Sequence, residues 1–242
     1  MPEEQKPDAM IRVIDFETTG LEASDAVIES AFYDLWRDAG TLIPGEARLH
    51  FAEAISPEAR AASHIWPEDI READRFDPEE FVQAAVAAGA SGLAAHNAGF
   101  EAQWIKRHTE GAIHLICTFK AALRIWPEAP SHANFALAYW LSDQGLIEID
   151  RPLAMPAHRA LPDCYITGLI LRALFRAGAT GPQMVKWTQQ PALYPRCPIG
   201  EHRGKPWAEV PGGFLRWMRD KTDMDPDYRF CAGTEIERRG EK

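Results

Sequence analysis

The 242-residue chain predicts an α/β fold in which a mixed sheet is flanked by helices, followed by a small C-terminal module. Three strand-like stretches come first, as in a meander, and further strands then alternate with helices. After Gly178 the chain changes to a proline-rich stretch and then to a segment rich in basic and aromatic residues. We therefore expect five regions: an acidic tail (1–9), a main domain (10–178), a helix with a proline-rich linker (179–195), a small C-terminal module (196–237) and a short tail (238–242).

Apolar runs between turn signals predict the strands. The first run, MIRVIDFE, is apolar on both faces until its end, as expected of a buried strand. Gly40 and the pair Pro44-Gly45 separate the second and third runs and predict turns there. The five predicted strands are 10–17, 26–37, 47–55, 91–97 and 112–118.

Helices are predicted between and after these strands. The last long one follows Pro162, which suits a first helical position, and ends at Gly178. The shorter helices are expected at 57–62, 78–89, 98–110, 118–125 and 131–141, and the module is expected to hold two more.

Composition excludes several classes of protein. No run of about 18 apolar residues is present, so we expect no membrane-spanning segment. The acidic start MPEEQKPDAM is unlike a secretory signal, and the four cysteines form no C-x-x-C pair, which together favour a cytoplasmic location. A phosphotransferase or nucleotide-binding protein is disfavoured because no glycine-rich phosphate loop occurs. A zinc site of Cys197, His202 and Cys231 stays open, although its spacing fits no standard pattern.

Charge is distributed unevenly around the net value of −10. Residues 1–90 hold 20 acidic and 7 basic residues (net −13), whereas residues 91–242 hold 16 acidic and 19 basic (net +3). The second part can therefore meet phosphates, and a solvated surface without a partner is the alternative. In the module, apolar side chains at helical spacing predict a small core of Trp207, Phe214, Trp217 and Met218. Basic side chains predict an outer face of positive charge, formed by Arg203, Lys205, Arg216 and Arg219.

Two of the most informative carboxylates end the first strand. Asp15 and Glu17 lie two residues apart, so both side chains point to the same face and repel each other unless a cation lies between them. Asp163 repeats the conflict on the last long helix, because it shares an inward face with three apolar residues, Ile166, Ile170 and Leu174. Carboxylate oxygens of this kind suit Mg²⁺ or Mn²⁺, and a pair of such ions suits phosphoryl transfer.

Glu101 and His158 complete the candidate set. If Asn97 caps the helix predicted at 98–110, Glu101 falls in its first turn or just after, on a face with Trp104. His158 precedes Asp163 by five residues in a proline-flanked loop. Each feature alone has an ordinary reading, such as a helix cap, a solvated acid or a structural histidine. Their joint occurrence in one order is what indicates a metal-dependent site.

Three segments, VIDFETTG, AHNAGFEAQW and HRALPDCYIT, resemble the three motifs of the DEDDh 3′→5′ exonucleases, which have a ribonuclease H-like fold. This resemblance covers residues 11 to about 178. Further stretches, ISPEARA, ICTFKAALRIWP and RGKPWAEVPGGFLRWM, extend the resemblance over nearly the whole chain and narrow it to one group of DNA exonucleases. The last of them also resembles a small module that recurs beside such nucleases.

The resemblance implies hydrolysis of DNA from 3′ ends, single-stranded or duplex, to nucleoside 5′-monophosphates. It implies that Asp15, Glu17 and Asp163 bind two Mg²⁺ ions, with Mn²⁺ as a substitute, and that His158 is the general base. Glu101 stands where the family has its second aspartate. The resemblance further assigns the terminal nucleotide to Thr18, Leu21 and Asn97, and it suggests a homodimer.

Two departures keep alternatives open. Glu101 replaces the usual aspartate, which favours a catalytically weakened nucleic-acid-binding domain of the same fold. Ser63-His64-Ile65 stands where many relatives place a histidine before a glycine and an isoleucine. A 3′→5′ exoribonuclease is the second alternative, because the sequence says little about recognition of the 2′-hydroxyl group of RNA.

Overall fold

The computed structural model describes residues 9–37 and 40–241. Most of the predicted acidic tail (1–8), residues 38–39 and the final Lys242 lie outside the described residues. Five strands form one sheet in the part that the structure describes. Their bounds are β1 Met10–Thr18, β2 Val27–Trp36, β3 Thr41–Leu49, β4 Gly92–Ala95 and β5 His114–Cys117.

The sheet is mixed, with the strand order β3-β2-β1-β4-β5. β1 pairs antiparallel with β2 and β2 with β3, whereas β4 and β5 run parallel to β1. The mixed sheet flanked by helices that the sequence predicts is therefore confirmed.

The predicted position of the third strand is wrong. β3 covers Thr41–Leu49 rather than 47–55, and Pro44 and Gly45 lie within it instead of forming a turn. β3 is an edge strand, where a proline is tolerated, and one extra residue of β3 opposite Ala31 to Tyr33 of β2 shifts the register and accommodates the irregularity.

The helices lie on both faces of the sheet and in the C-terminal module. None among the described residues is long and apolar enough to cross a membrane. Their bounds are α1 Pro57–Ser63, α2 Pro78–Ala87, α3 Ala102–Thr109, α4 Thr118–Ile125, α5 Asn134–Asp143, α6 Ala160–Arg176, α7 Gly181–Gln189, α8 Gly212–Asp220 and α9 Pro226–Arg239.

Side chains of β1 alternate between two hydrophobic layers. Ile11 and Val13 pack with α4, α5 and α6, whereas Ile14 and Phe16 pack with α2 and α3. Asp15 and Glu17 continue the Val13 series and therefore face α6. The period of two along the strand is what directs both carboxylates toward the last long helix.

Three helix starts differ from the prediction, and one of these helices, α5, begins at Asn134 rather than at 131. α6 begins at Ala160, two residues before Pro162, which lies in the first turn, where its missing N–H needs no partner. α3 begins at Ala102, so Glu101 precedes it rather than lying in its first turn. Asn97 does not cap that helix. It has a φ of 64° and accepts a backbone hydrogen bond from Phe100 in a separate turn.

The C-terminal module has its own small core, which includes Trp207, Leu215 and Met218. Trp217 is 47% exposed, so its predicted place in that core is wrong. The residue lies on the outer side of α8, whose inner side is taken by Leu215 and Met218. Of the predicted basic face, Arg216 pairs with Glu241 and Arg219 with Asp220, whereas Arg203 and Lys205 form no ion pair with any residue that the structure describes.

Candidate active site

The candidate active site lies at the carboxyl ends of the parallel strands β1 and β4. β1 supplies Asp15 and Glu17, and the turn that follows β4 leads to Glu101. The amino end of α6 brings Asp163 to the same place, with His158 just before it. Crevices at the carboxyl ends of strands are common ligand sites in open α/β sheets.

Three of the predicted metal ligands converge closely. Asp15, Glu17 and Asp163 each offer a carboxylate oxygen, and these oxygens lie within 4.8 Å of one another. Among the described residues this is the one such group with ligand spacing. Cys197, His202 and Cys231 therefore form no zinc site in this part of the chain.

Asp163 reaches the cluster because the face below it is buried as predicted. Ile166, Ile170 and Leu174 are fully buried in the layer between α6 and the sheet. Asp163 is the last member of this row toward the amino end of the helix, where the packed layer opens into the cleft.

Glu101 stands outside this trio but lines the same cleft. Its side chain is buried, and its Oε2 atom has no hydrogen-bond partner. A buried polar atom without a partner costs about 1–3 kcal/mol, and more when it carries a charge. An unpartnered buried carboxylate oxygen of this kind fits the chemistry of a cation ligand.

The carboxylates are held in surroundings that disfavour their ionised forms. Burial, followed by the charges of Asp163 and Glu101, raises the pKa of Asp15 well above its usual value. Burial and Asp163 raise the pKa of Glu17 to about 8, and burial raises the pKa of Glu101 to about 8. Burial also raises the pKa of Asp163 to about 6, against an opposing effect of His158.

These four acids fit one or more divalent cations. The donors are all hard oxygens, they crowd one another without a neutralising charge, and one buried oxygen is unbonded. A cation would favour the ionised form of every one of them.

His158 lies at the open side of the cluster. It is exposed, its φ is 60°, and its backbone N–H donates to Oδ1 of Asp163 at 3.1 Å. That bond leaves the other oxygen of Asp163 available to a cation. The imidazole is on the loop and faces the cleft from its rim.

All three residues that the resemblance assigns to the terminal nucleotide also line the cleft, which has a volume of about 450 Å³. Leu21 is 76% exposed, more than any other large apolar side chain among the described residues. The hydroxyl of Thr18 donates to the carbonyl of Gly20 at 2.5 Å and holds the turn that presents Leu21. Asn97 is exposed on the turn after β4.

Two residues beside the site escaped the sequence analysis. Glu29 on β2 lies opposite Glu17 in the β1–β2 register, and it is buried. Arg159 directly follows His158 and pairs with Glu29 through two hydrogen bonds. An acid inside the apolar run AVIESAF is the signal that could have drawn attention to Glu29.

Fold and site together are those of a nuclease whose acidic cluster suits divalent cations. The chain belongs to the exonuclease family whose model, described as Exonuclease (RNase T), matches residues 13–171. The sheet and its flanking helices match the ribonuclease H-like fold of that family.

Individual relatives agree with this assignment. They belong to the group of DNA exonucleases that the sequence stretches outside the three motifs resemble. The chain is 32% identical to exodeoxyribonuclease 10 of Escherichia coli (strain K12) over 233 residues, which cover 94% of this chain and 99% of the relative. A solved structure of exonuclease X in complex with 5′ overhanging duplex DNA matches with a TM-score of 0.59 and 28% identity, over 74% of this chain and 99% of that one. Exonuclease I shares the fold at 16% identity and a TM-score of 0.53, over 74% of this chain and 43% of that one.

Proposed function

We propose that this protein is a divalent-metal-dependent 3′→5′ exodeoxyribonuclease that releases nucleoside 5′-monophosphates from DNA 3′ ends. The observation that carries the proposal is the convergence of Asp15, Glu17 and Asp163 within 4.8 Å, in a cleft that His158 also lines. The 32% identity to exodeoxyribonuclease 10 and the match to a DNA complex of exonuclease X support DNA as the substrate.

The proposed ligands of two Mg²⁺ ions, or of Mn²⁺ in their place, are the three clustered carboxylates together with Glu101. The bound ions would lower the pKa of an attacking water and offset the negative charge that develops on the scissile phosphate. The protein supplies the fixed carboxylate geometry, and its exposed Leu21 offers an apolar surface to the last base without sequence preference.

In this proposal His158 takes the proton from the attacking water. Its exposed position at the cleft rim allows the proton to pass on to solvent, and its backbone bond to Asp163 ties the loop to the cluster. Thr18 and Asn97 are proposed to hold the sugar and phosphate of the terminal nucleotide. The four cysteines are free thiols, which supports the proposed cytoplasmic location.

Digestion of matched oligonucleotides tests the function. DNA and RNA of one sequence, labelled at either the 3′ or the 5′ end, are incubated with Mg²⁺, with Mn²⁺ or with a chelator. We expect 3′-labelled DNA to release a labelled mononucleotide at once, 5′-labelled DNA to shorten stepwise, and the chelator to stop both reactions.

Other outcomes distinguish the alternatives. Faster degradation of RNA would favour an exoribonuclease. Tight binding of DNA without cleavage under any metal would favour the weakened binding domain. The Asp15→Asn variant is the matched control, because it removes one ligand charge and keeps the size of the side chain.

The His158→Ala variant tests the general base. We expect its turnover to fall by about 10²- to 10⁴-fold because the proposed base is removed, whereas metal affinity should change little. Single-turnover rates and a calorimetric Mn²⁺ titration measure the two effects. A variant that loses thermal stability but keeps its turnover would show that His158 is structural.

A further inference from the structure

Glu29 is the fifth acid of this region, and it is not free to bind a cation. Its Oε1 accepts from Nη2 of Arg159 at 2.5 Å, and its Oε2 accepts from Nε of Arg159 at 2.9 Å and from the backbone N–H of Ala160 at 3.0 Å. Both oxygens are therefore occupied from the side of α6.

The buried carboxylate of Glu29 makes ionisation of the neighbouring acids less favourable. The negative charge of Glu29 contributes to the raised pKa of both Glu17 and Asp163. A buried acid beside other acids is retained most easily where a paired cation compensates it, and Arg159 supplies that charge in a two-pronged geometry.

The three bonds fix one short segment of the chain. Arg159 occupies the position before α6, and its own side chain makes no capping bond to the helix. Glu29, on another element, instead accepts the first free N–H of the helix, at Ala160. His158 directly precedes this pinned segment, and Asp163 lies in the first turn that follows it.

His158 has few other constraints. Its side chain is exposed, its backbone is left-handed, and Pro156 and Met155, two and three residues earlier, are exposed as well. The anchors of its position are thus the bond to Asp163 and the pair made by Glu29 and Arg159.

We propose that Glu29 and Arg159 are a positioning pair that sets the place of His158 over the acidic cluster. This inference rests on the proposed role of His158. A displacement of about 1 Å in a catalytic group can lower a rate by about 100-fold, so the pair acts on turnover without contact with the substrate.

A second ion pair of the same kind provides the control. Arg12 on β1 holds Asp34 on β2 through two hydrogen bonds of 2.8 Å each. It lies on the opposite face of the sheet from α6, beside Phe32. The Asp34→Asn variant therefore disrupts a comparable two-bond ion pair of β2 on the face of the sheet away from the cleft.

The first experiment compares Arg159→Lys, Glu29→Gln and Asp34→Asn in the full chain. We expect the first two to lower kcat by about 10- to 100-fold with a KM change below about threefold, and Asp34→Asn to leave kcat unchanged. Arg159→Lys keeps the charge but loses the fork, and it remains informative if Glu29→Gln does not fold. Equal kcat values in all variants, whatever their Tm, would overturn the proposal.

The second experiment separates this inference from the proposed function. If Arg159 acts through His158, the double variant His158→Ala, Arg159→Lys should be no slower than His158→Ala alone. Independent, multiplicative losses would overturn the positioning role while leaving the nuclease function intact.

Hydrogen exchange gives a readout without activity. Amides of residues 158–163 should exchange faster in metal-free Glu29→Gln than in the parent, and at the parent rate in Asp34→Asn. Unchanged exchange at 158–163 in Glu29→Gln would also overturn the proposal, even if no substrate were cleaved by any variant.

Discussion

At the scale of single residues, Glu101 differs most from the other site acids. It is buried, one of its oxygens has no partner, and burial raises its pKa to about 8. Its backbone lies one residue before α3, so the longer glutamate side chain starts from outside the helix rather than from its first turn.

The Glu101→Gln variant should separate the two effects of this residue. Removal of the ionisable group should raise the Tm of the metal-free protein, because the buried carboxyl must take up a proton on folding whereas an amide is neutral in both states. Removal of the proposed ligand should abolish most exonuclease activity, and Glu101→Asp should retain part of it. Calorimetry with chelator and a digestion assay measure both, and a Glu101→Ala variant as fast as the parent would refute the ligand role.

The raised pKa values of the site also predict a pH dependence of stability without metal. Glu17 and Glu101 titrate at about 8 when folded and near 4.5 in the unfolded chain, so at neutral pH the folded state binds more protons. The stability that these protons contribute is present below pH 4.5 and is lost as pH rises through 8. Each group adds a slope of up to about 1.4 kcal/mol per pH unit.

The informative window lies above pH 7. Burial lowers the pKa of His50 and of His96 to about 4, so these histidines act in the opposite direction between pH 4 and 6.5. Urea unfolding at pH 7, 8 and 9 with chelator should show a falling free energy of unfolding, and Mg²⁺ should flatten the slope. A rise over this range in the metal-free parent would contradict the raised pKa values.

At the scale of elements, β3 depends on a close approach between backbone and side chain. A Cβ atom added at Gly45 would lie within 2.6 Å of three ring atoms of Phe32 on the neighbouring strand. Gly45→Ala should therefore destabilise the protein by about 1–3 kcal/mol through overpacking. The control is Gly213→Ala in α8, where nothing lies within 4 Å and a neutral or slightly stabilising effect is expected in urea unfolding.

The same element shows why part of the fold escaped prediction. The sequence placed β1, β2 and the two parallel strands correctly because apolar runs mark buried strands, whereas the edge strand β3 has few buried residues and contains Pro44 and Gly45. The local sequence predicts a turn at Pro44 and Gly45, but the pairing of β3 with β2 keeps both residues within the strand.

Within the site, a similar division applies. Asp15, Glu17 and Asp163 were recognised because acids conflict with apolar patterns, and the structure brings them together. Glu29 and Arg159 were missed because their pairing spans 130 residues, a separation that no local pattern reports.

At the scale of the whole molecule, the C-terminal module has cations of two kinds. Arg216 and Arg219 are paired with carboxylates, whereas Arg203 and Lys205 are exposed and bond to groups that carry no negative charge. We expect that Arg203 and Lys205 contact DNA phosphates beyond the cleft.

Substitution of both Arg203 and Lys205 by alanine should weaken binding of long DNA and flatten its salt dependence by roughly one unit of log–log slope per lost phosphate contact. Hydrolysis of very short substrates should be unaffected because they do not reach the module. Arg216→Ala with Arg219→Ala is the matched control. An unchanged salt slope in the first double variant would indicate a structural module.

The two borders of the sheet have a consequence for assembly. On one side, the irregular β3 with its proline and bulge is a poor template for a strand from another molecule. On the other side, the Thr188 hydroxyl of α7 accepts the N–H of Cys117 at 2.7 Å, so that donor of β5 is already used. Both edges of the sheet therefore disfavour strand pairing between two copies of this chain. The homodimer that the resemblance suggests would have to bury the surface of helices or of the C-terminal module instead.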